Sequence, residues 1–407
     1  MRVEPEKRKD WVQMKKRLTV FIALMLCAAL MLCGCTAGKG DRISVVTDDD
    51  KSLNKDIVMT VGEQKISQAD FNFIYKLVYD NMSQYANYYG ADWENMEVEE
   101  GKTMADFMQT NTIEQVKQMA AAVALGKDYK ITADRDVQKT VTEQKKNIVE
   151  KNYNGVDGYR KYLLGAHTTD AAFDRYLEIC EIYSRLFKEL SKSGGALKVD
   201  EKKLEKDFIK ENEGKMRVQH VLISTQEQQG ENGEKKAARS DEDAKKLANE
   251  VIAQLDSGKE FDDLIEKYNE DPGMSKGKYY LFGEGEMVPE FEEASKNLKV
   301  GEYTKEPVKT SYGYHVIKRY KIDKNSDEFK TYKENALQEK LMKKLDKKLK
   351  KLKVNTEEKT IEKYLKKWSE ERAAEAKKQE DAQKDNTQKS TSDSADKKQS
   401  TDQKTSE

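Results

Sequence analysis

Few side chains in this sequence have the chemistry to do more than pack. Three histidines occur in 407 residues. Two of them, His220 and His315, lie in strand-like text, MRVQHVLIST and KTSYGYHVIKR. Period-two alternation puts Met216, Val218, His220 and Leu222 on one face of the first stretch, and His315 with Ile317 on one face of the second. Two central, neighbouring strands would bring the imidazoles together as a hydrogen-bonded pair that fixes tautomers and orients its neighbours. Taken singly, a histidine in such a strand is more often a satisfied core residue. Two histidines without a matching cysteine spacing are too few for a metal site. His167, in LGAHTTD, has no second ligand nearby and reads as a loop or capping residue. Of four cysteines, Cys27, Cys33 and Cys35 sit in or just after the N-terminal apolar run. Cys180 alone remains for the body, where it can form neither an internal disulfide nor a metal cluster and reads as a small buried apolar residue.

The two strands need elements to hold them. Ser240-x-x-Asp243 caps a helix whose Ala244, Leu247, Ala248, Val251, Ile252 and Leu255 recur at helical spacing. Gly258 ends that helix, and Phe261, Leu264, Ile265 and Tyr268 suggest a second, short one. Asp271-Pro-Gly is a turn, the Phe282 region is extended, Pro289 to Leu298 is a short helix, and Val300-Gly-Glu is another turn. The order is β-α-α-β-α-β, with the histidines on its first and last strands.

These motifs, VQHVLI, GKEF, YNEDPG, FGEGEMVPEFEEA, VGE and PVKTSYGYH, come in the order and at the spacing of a parvulin-type peptidyl-prolyl isomerase domain, and the stretch resembles one. The resemblance implies a four-stranded antiparallel sheet with surrounding helices. It also implies catalytic residues at His220, Asp271 and His315, a substrate-binding socket of Leu281, Met287, Phe291, Thr310 and Tyr312, and no metal or other cofactor. Where the family reads G-G-D-L-G, this chain has Gly277-Lys-Tyr-Tyr-Leu-Phe282. Lys235, Lys236 and Arg239 lie in the loop where some relatives bind phosphate. Here they alternate with Glu234, Asp241 and Glu242, as in a solvated loop.

The rest of the chain is helix-rich text. Charged residues make up 37% of the chain, and the net charge of −1 points to no nucleic-acid partner. Ile57 to Val61 is a short β run, Gly62-Glu63 a turn, and Ser67-x-x-Asp70 a helix start followed by Phe71, Ile74, Tyr75 and Val78 on one face. Thr103 to Leu190 is helical with polar joints and no proline. Tyr75, Tyr79, Tyr85, Tyr88, Tyr89 and Trp93 form an aromatic-dense patch. It reads either as a grip for unfolded chains or, for any single residue, as ordinary packing. Ser326 to Val354 reads as one helix with Leu337, Leu341, Leu345, Leu349 and Leu352 as its apolar stripe. Such a stripe can pack on the N-terminal segment or lie on an anionic membrane or wall polymer.

At the N-terminus, Lys15, Lys16 and Arg17 precede an uncharged run from Leu18 to Leu32, shorter than the roughly 20 residues of a membrane span. Met14 is an alternative start. Leu32-Cys33-Gly34-Cys35 resembles a bacterial lipobox, which implies cleavage before Cys35 and a lipid on its thiol. An uncleaved anchor and an ordinary secretory signal are the alternatives.

Taken whole, the chain resembles the extracellular foldase lipoproteins of Gram-positive bacteria, the PrsA type. The fold class expected is α+β, a mostly helical chaperone domain with the parvulin domain inserted. The expected segments are a signal peptide at 1–34, a lipidated tether at 35–56, a helical chaperone segment at 57–200 and the isomerase at 214–321. A return helix at 326–368 and a disordered tail at 369–407 complete it. The resemblance implies that this helix returns to pack on the N-terminal segment, which is preferred here to lying on a membrane or wall polymer. The implied partners are unfolded or newly exported proteins, their Xaa-Pro segments, the outer face of the cytoplasmic membrane through Cys35, and, as an allowed state, a second copy of the chain. Two rivals remain, an inactive holdase that keeps the parvulin fold as a binding surface, and a structural surface lipoprotein or adhesin.

Overall fold

The structure is a computed structural model that describes residues 43–46, 50–83, 93–229, 235–374 and 377–378. The chain divides into two compact units, one formed by residues 1–197 with 340–407 and the other by 198–339. Cys35, the N-terminal apolar run, Tyr85, Tyr88 and Tyr89 lie outside the described residues.

The first unit begins earlier than the polar text of its N-terminal stretch suggests. Val45 and Leu53, the latter on the single helical turn α1 (Asp50–Leu53), are buried in its core. Residues 43–46 and 50–56 are therefore part of the folded body and not of a tether. Strands β1 (Ile57–Val61) and β2 (Gln64–Ser67) form a hairpin around Gly62, whose φ of 59° suits the turn. Helix α2 (Gln68–Ser83) starts at a reciprocal cap, in which the Ser67 hydroxyl and amide both donate to Asp70 and the Asp70 amide donates to Ser67 Oγ. A small hairpin, β3 (Glu97–Glu99) with β4 (Lys102–Thr103), leads into α3 (Met104–Asp128), capped in the same way by Thr103 and Asp106. Helices α4 (Arg135–Asn152), α5 (Val156–Gly165) and α6 (Asp170–Ser191) complete the N-terminal part. Lys145, 2% exposed, ties α4 to α6 through Asp170 (2.5 Å) and Asp174 (2.7 Å), and the Tyr159 hydroxyl donates to Asp170 at 2.9 Å. A buried lysine needs such partners, since an uncompensated interior charge is costly. Cys180 is buried on α6. His167 follows α5 in a left-handed conformation (φ 47°) and bonds Glu371 at 2.8 Å.

The second unit holds α7 (Glu201–Glu211) and a central strand β5 (Met216–Ser224). A short hairpin, β6 (Gln228–Gln229) with β7 (Lys235–Lys236), precedes α8 (Asp241–Asp256) and α9 (Phe261–Tyr268). Strand β8 (Tyr280–Phe282), helix α10 (Pro289–Asn297) and strands β9 (Val308–Thr310) and β10 (Gly313–Tyr320) follow. The sheet is antiparallel, in the order β8-β5-β10-β9. Sequence reading missed β9, which is three residues long and separated from β10 by a two-residue turn. One sheet face, with Val221, Ile223, Tyr314 and Val316, packs on the apolar stripes of α8 and α9. The other, with Met216, Val218, Phe282 and Ile317, packs on Phe291 of α10.

Helix α11 (Asp327–Leu349) begins in the second unit, and from Lys340 its residues belong to the first. It stops at Leu349 rather than running to Val354, because the chain turns and Val354–Thr356 (β11) pairs with β1. Leu341 and Leu345 are fully buried, and Leu349 and Leu352 pack against the first core, so the stripe serves packing. Asp346 and Lys348 are tied to Gln118 and Asp128 of α3. A last helix, α12, runs over 358–374. Residues 369–374, expected in the disordered tail, are therefore helical, and 379–407 lie outside the described residues. Arg372 lies about 4 Å from the Tyr79 and Trp368 rings and grips Glu94 with two hydrogen bonds, anchoring a turn whose Ala373 and Ala374 are exposed. Tyr75 and Trp93 are core residues, so ordinary packing accounts for the described part of the aromatic patch.

Candidate functional site

Strand pairing decides which side chains meet. In the β5–β10 register His220 lies opposite Ile317 and His315 opposite Leu222, so both imidazoles stand on the sheet face that carries α10. Their rings stack at 5.2 Å between centroids, with Nδ1 of one 3.0 Å from Nδ1 of the other.

Asp271 comes from the turn after α9. The Asn269 side chain builds that turn, accepting from the Leu222 and Asp271 amides and donating to the carbonyls of Asp271 and Met274. The turn is thereby fastened to β5 beside the histidines. Asp271 Oδ2 accepts from His220 Nε2 at 2.8 Å and from the Tyr280 hydroxyl at 2.8 Å, while Oδ1 takes the Gly273 amide at 2.8 Å. At the other end of the pair, His315 Nε2 is 2.9 Å from Thr310 Oγ1, which also accepts the Tyr312 amide.

The hydrogen-bond roles follow from this chain. The bond from His220, outweighing burial, holds the Asp271 carboxyl well below the usual carboxylate range, so it is an acceptor and His220 Nε2 carries a proton. Burial, with a smaller push from His220, lowers His315 from 6.5 to about 3, so His315 is neutral near pH 7. When His220 is neutral its Nδ1 accepts, His315 donates through Nδ1, and Thr310 donates its hydroxyl to His315 Nε2.

Phe291 stands edge-on to both imidazoles, 5.2 Å from each, and Phe282 lies 5.9 Å from Phe291. Met287 is half-buried against this cluster. Tyr312 is exposed, with its carbonyl accepting the Thr225 amide. His220, Asp271, His315, Met287, Phe291 and Thr310 thus come together, with Tyr312 joined through the Thr310 hydroxyl.

Leu281 does not. It lies opposite Arg217, on the sheet face turned away from the histidines, whereas Tyr280 and Phe282 on either side of it share the histidine face. The sequence did not disclose the phase of a strand only three residues long. Tyr280 was missed for the same reason, although the departure at Lys278-Tyr279-Tyr280 marks the place.

Arg239, in the basic loop, spends its guanidinium on Glu270 (two bonds at 2.8 Å) and on the Ser224 carbonyl. Among the described residues no group of three or more His, Cys, Asp or Glu could hold a metal ion.

Comparison with known proteins bears on the same stretch. Residues 202–322 match the PPIC-type PPIase domain family. The foldase protein PrsA of Caldanaerobacter subterraneus subsp. tengcongensis is 27% identical over 329 residues, covering 80% of this chain and 89% of that protein. The Geobacillus kaustophilus PrsA is 40% identical over 124 residues, 30% of this chain and 37% of its own length. Among solved structures, PrsA from Bacillus subtilis is 20% identical, covering 73% of this chain and 91% of that one, with a TM-score of 0.32. The parvulin of Nitrosopumilus maritimus is 31% identical, covering 26% of this chain and 97% of that one, with a TM-score of 0.20. Over most of its length the chain is similar to PrsA-type foldases, and its second unit carries a parvulin-type peptidyl-prolyl cis–trans isomerase domain.

Proposed function

We propose that the Asp271–His220–His315–Thr310 chain and the socket of Met287 and Phe291 form the isomerase site, in a foldase held by a lipid on Cys35 at the outer face of the cytoplasmic membrane. The clients are exported proteins still folding, and the reaction is rotation about their Xaa-Pro bonds. Amide resonance opposes that rotation with a barrier of about 18–20 kcal/mol. A catalyst must favour the twisted amide, in which the carbonyl has lost part of its charge separation. A proline ring seated against Met287 and Phe291 is one fixed end of the rotor, and an apolar wall keeps water from the carbonyl. Each ~1.4 kcal/mol gained only in the twisted state is a factor of ten in rate.

The histidines then act as a rigid polar floor. The His220 proton is committed to Asp271 and the His315 proton to His220, with Thr310 donating to His315, so they orient neighbouring groups and perform no acid–base step. The observation that carries this reading is the unbroken hydrogen-bond chain from Asp271 to Thr310 beside Phe291. Tyr312, exposed at the end of that chain, is assigned to the peptide flanking the proline. With Arg239 engaged by Glu270, the rim offers no free guanidinium at that position for an anionic residue before the proline.

The test is the cis-to-trans rate of short Xaa-Pro peptides with the full chain, with Met287→Ala and His220→Ala beside it. Acceleration that drops by roughly tenfold or more in both variants supports the site. A well-folded chain that suppresses aggregation without accelerating the peptide is instead the inactive holdase. The anchor is tested separately with Cys35→Ala, which should release the protein into the medium and abolish labelling by palmitate.

A further inference from the structure

Tyr280 occupies a stretch where the family pattern is glycine-rich, and its side chain is turned into the site. It lies opposite Val218, on the histidine face, with its ring 5.5 Å from that of His220. Its hydroxyl donates at 2.8 Å to Asp271 Oδ2, the same oxygen that accepts His220 Nε2 at 2.8 Å. The phenol is pushed up from its ordinary value by burial and by the Asp271 carboxylate, so it remains a donor. Space for it depends on Gly273, where a Cβ would fall 2.1 Å from the Tyr280 hydroxyl and 3.1 Å from Asp271 Oδ1. Gly273 has no positive φ, so glycine is required there for room and not for backbone conformation.

We infer that Tyr280 is a positioning residue of the isomerase, holding the Asp271 carboxylate on His220 so that the histidine pair keeps one orientation and one set of tautomers. The Asp271 side chain is 20% exposed. With a fixed phenol on Oδ2 and the Gly273 amide on Oδ1, it cannot turn toward solvent without losing a donor from each oxygen. Without the phenol, water replaces that donor and the carboxylate is held from one side only. The inference rests on reading the histidine pair as the site.

Tyr280→Phe removes the hydroxyl and keeps the ring that both apolar clusters use. In the full chain it should lower kcat/KM on an Xaa-Pro peptide about tenfold, mainly through kcat. It should also shift the imidazole nitrogen NMR resonances of His220 and His315, which a loss of packing elsewhere would not move. Gly273→Ala should reproduce both effects by displacing the hydroxyl, and should add little on top of Tyr280→Phe. Unchanged kcat/KM and unchanged resonances in Tyr280→Phe, with His220→Ala impaired, overturn the inference alone. If His220→Ala is also silent, the site reading falls and the inference with it. Fully additive losses in the double variant overturn the shared contact.

Discussion

At the scale of residues, the histidine pair ties function to acid sensitivity. Burial lowers His315 to about 3, whereas an unfolded histidine titrates near 6.5. Between those values the unfolded chain takes up a proton that the folded chain refuses. The stabilisation is therefore complete above about pH 6.5 and is lost as pH falls, by up to ~1.4 kcal/mol per unit. Asp271, held below its ordinary value, adds a loss of the same sign at lower pH. Calorimetry of the full chain at pH 7, 6 and 5 should show falling stability, and His315→Gln should remove about one proton from the uptake on unfolding near pH 5. An unchanged uptake would show that His315 is not the buried neutral group. The face of each histidine was legible from alternation, because β5 and β10 are nine and eight residues long and their phase is unambiguous, whereas their place in a site came from the family resemblance. Leu281 and Tyr280 were not, because β8 is too short to state its own phase and only pairing with β5 reveals it.

At the scale of elements, capped helices were readable and closures between distant segments were not. The Ser67/Asp70 and Ser240/Asp243 caps are local patterns, and both form. Pairing of β11 with β1 joins residues nearly 300 positions apart, and nothing in the three residues Val354-Asn355-Thr356 announces it. The end of α12 was hidden for a different reason. Composition counts apolar residues, and Arg372 is held by ring faces and by Glu94 instead. A guanidinium between two aromatic rings is worth roughly 0.5–2 kcal/mol. Arg372→Ala should therefore lower the melting temperature of the first unit by several degrees, read by tryptophan fluorescence, since Trp93 and Trp368 both lie in its core. Deleting residues 369–407 should cost at least as much, whereas deleting 379–407 should leave the melting temperature unchanged because Arg372 and Glu371 remain. Equal melting temperatures for the two deletions would remove α12 from the folded core.

At the scale of the whole molecule, the second unit is entered and left through helices that clasp each other. Phe208 of α7 packs against Phe329 and Tyr332 of α11, with rings 5.4 and 5.3 Å apart. The Tyr332 hydroxyl donates to Glu211, and Lys333 pairs with Glu201. Motif boundaries alone put the isomerase at 214–321, because the readable motifs begin at VQHVLI and end at PVKTSYGYH, whereas the family match itself takes in α7. The structure adds a reason to keep them. Arg217, 7% exposed on β5, lies over the Tyr279 ring at 3.4 Å and bonds Glu328 of α11 at 2.9 Å. Cutting at 321 removes Glu328 and leaves a buried guanidinium without its carboxylate, a change worth about 3–5 kcal/mol where the charge stays buried. Removing α7 and α11 together also exposes the β5 end that they flank. A fragment of residues 198–339 should consequently fold and retain the peptide isomerase rate of the full chain, whereas 214–321 should unfold at markedly lower urea. Glu328→Ala in the longer fragment should recover a large part of that difference, which separates loss of the ion pair from loss of the helix pair. Equal urea midpoints for the two fragments would show that the family motifs alone bound the folding unit, and that the clasp serves only to join it to the rest of the chain.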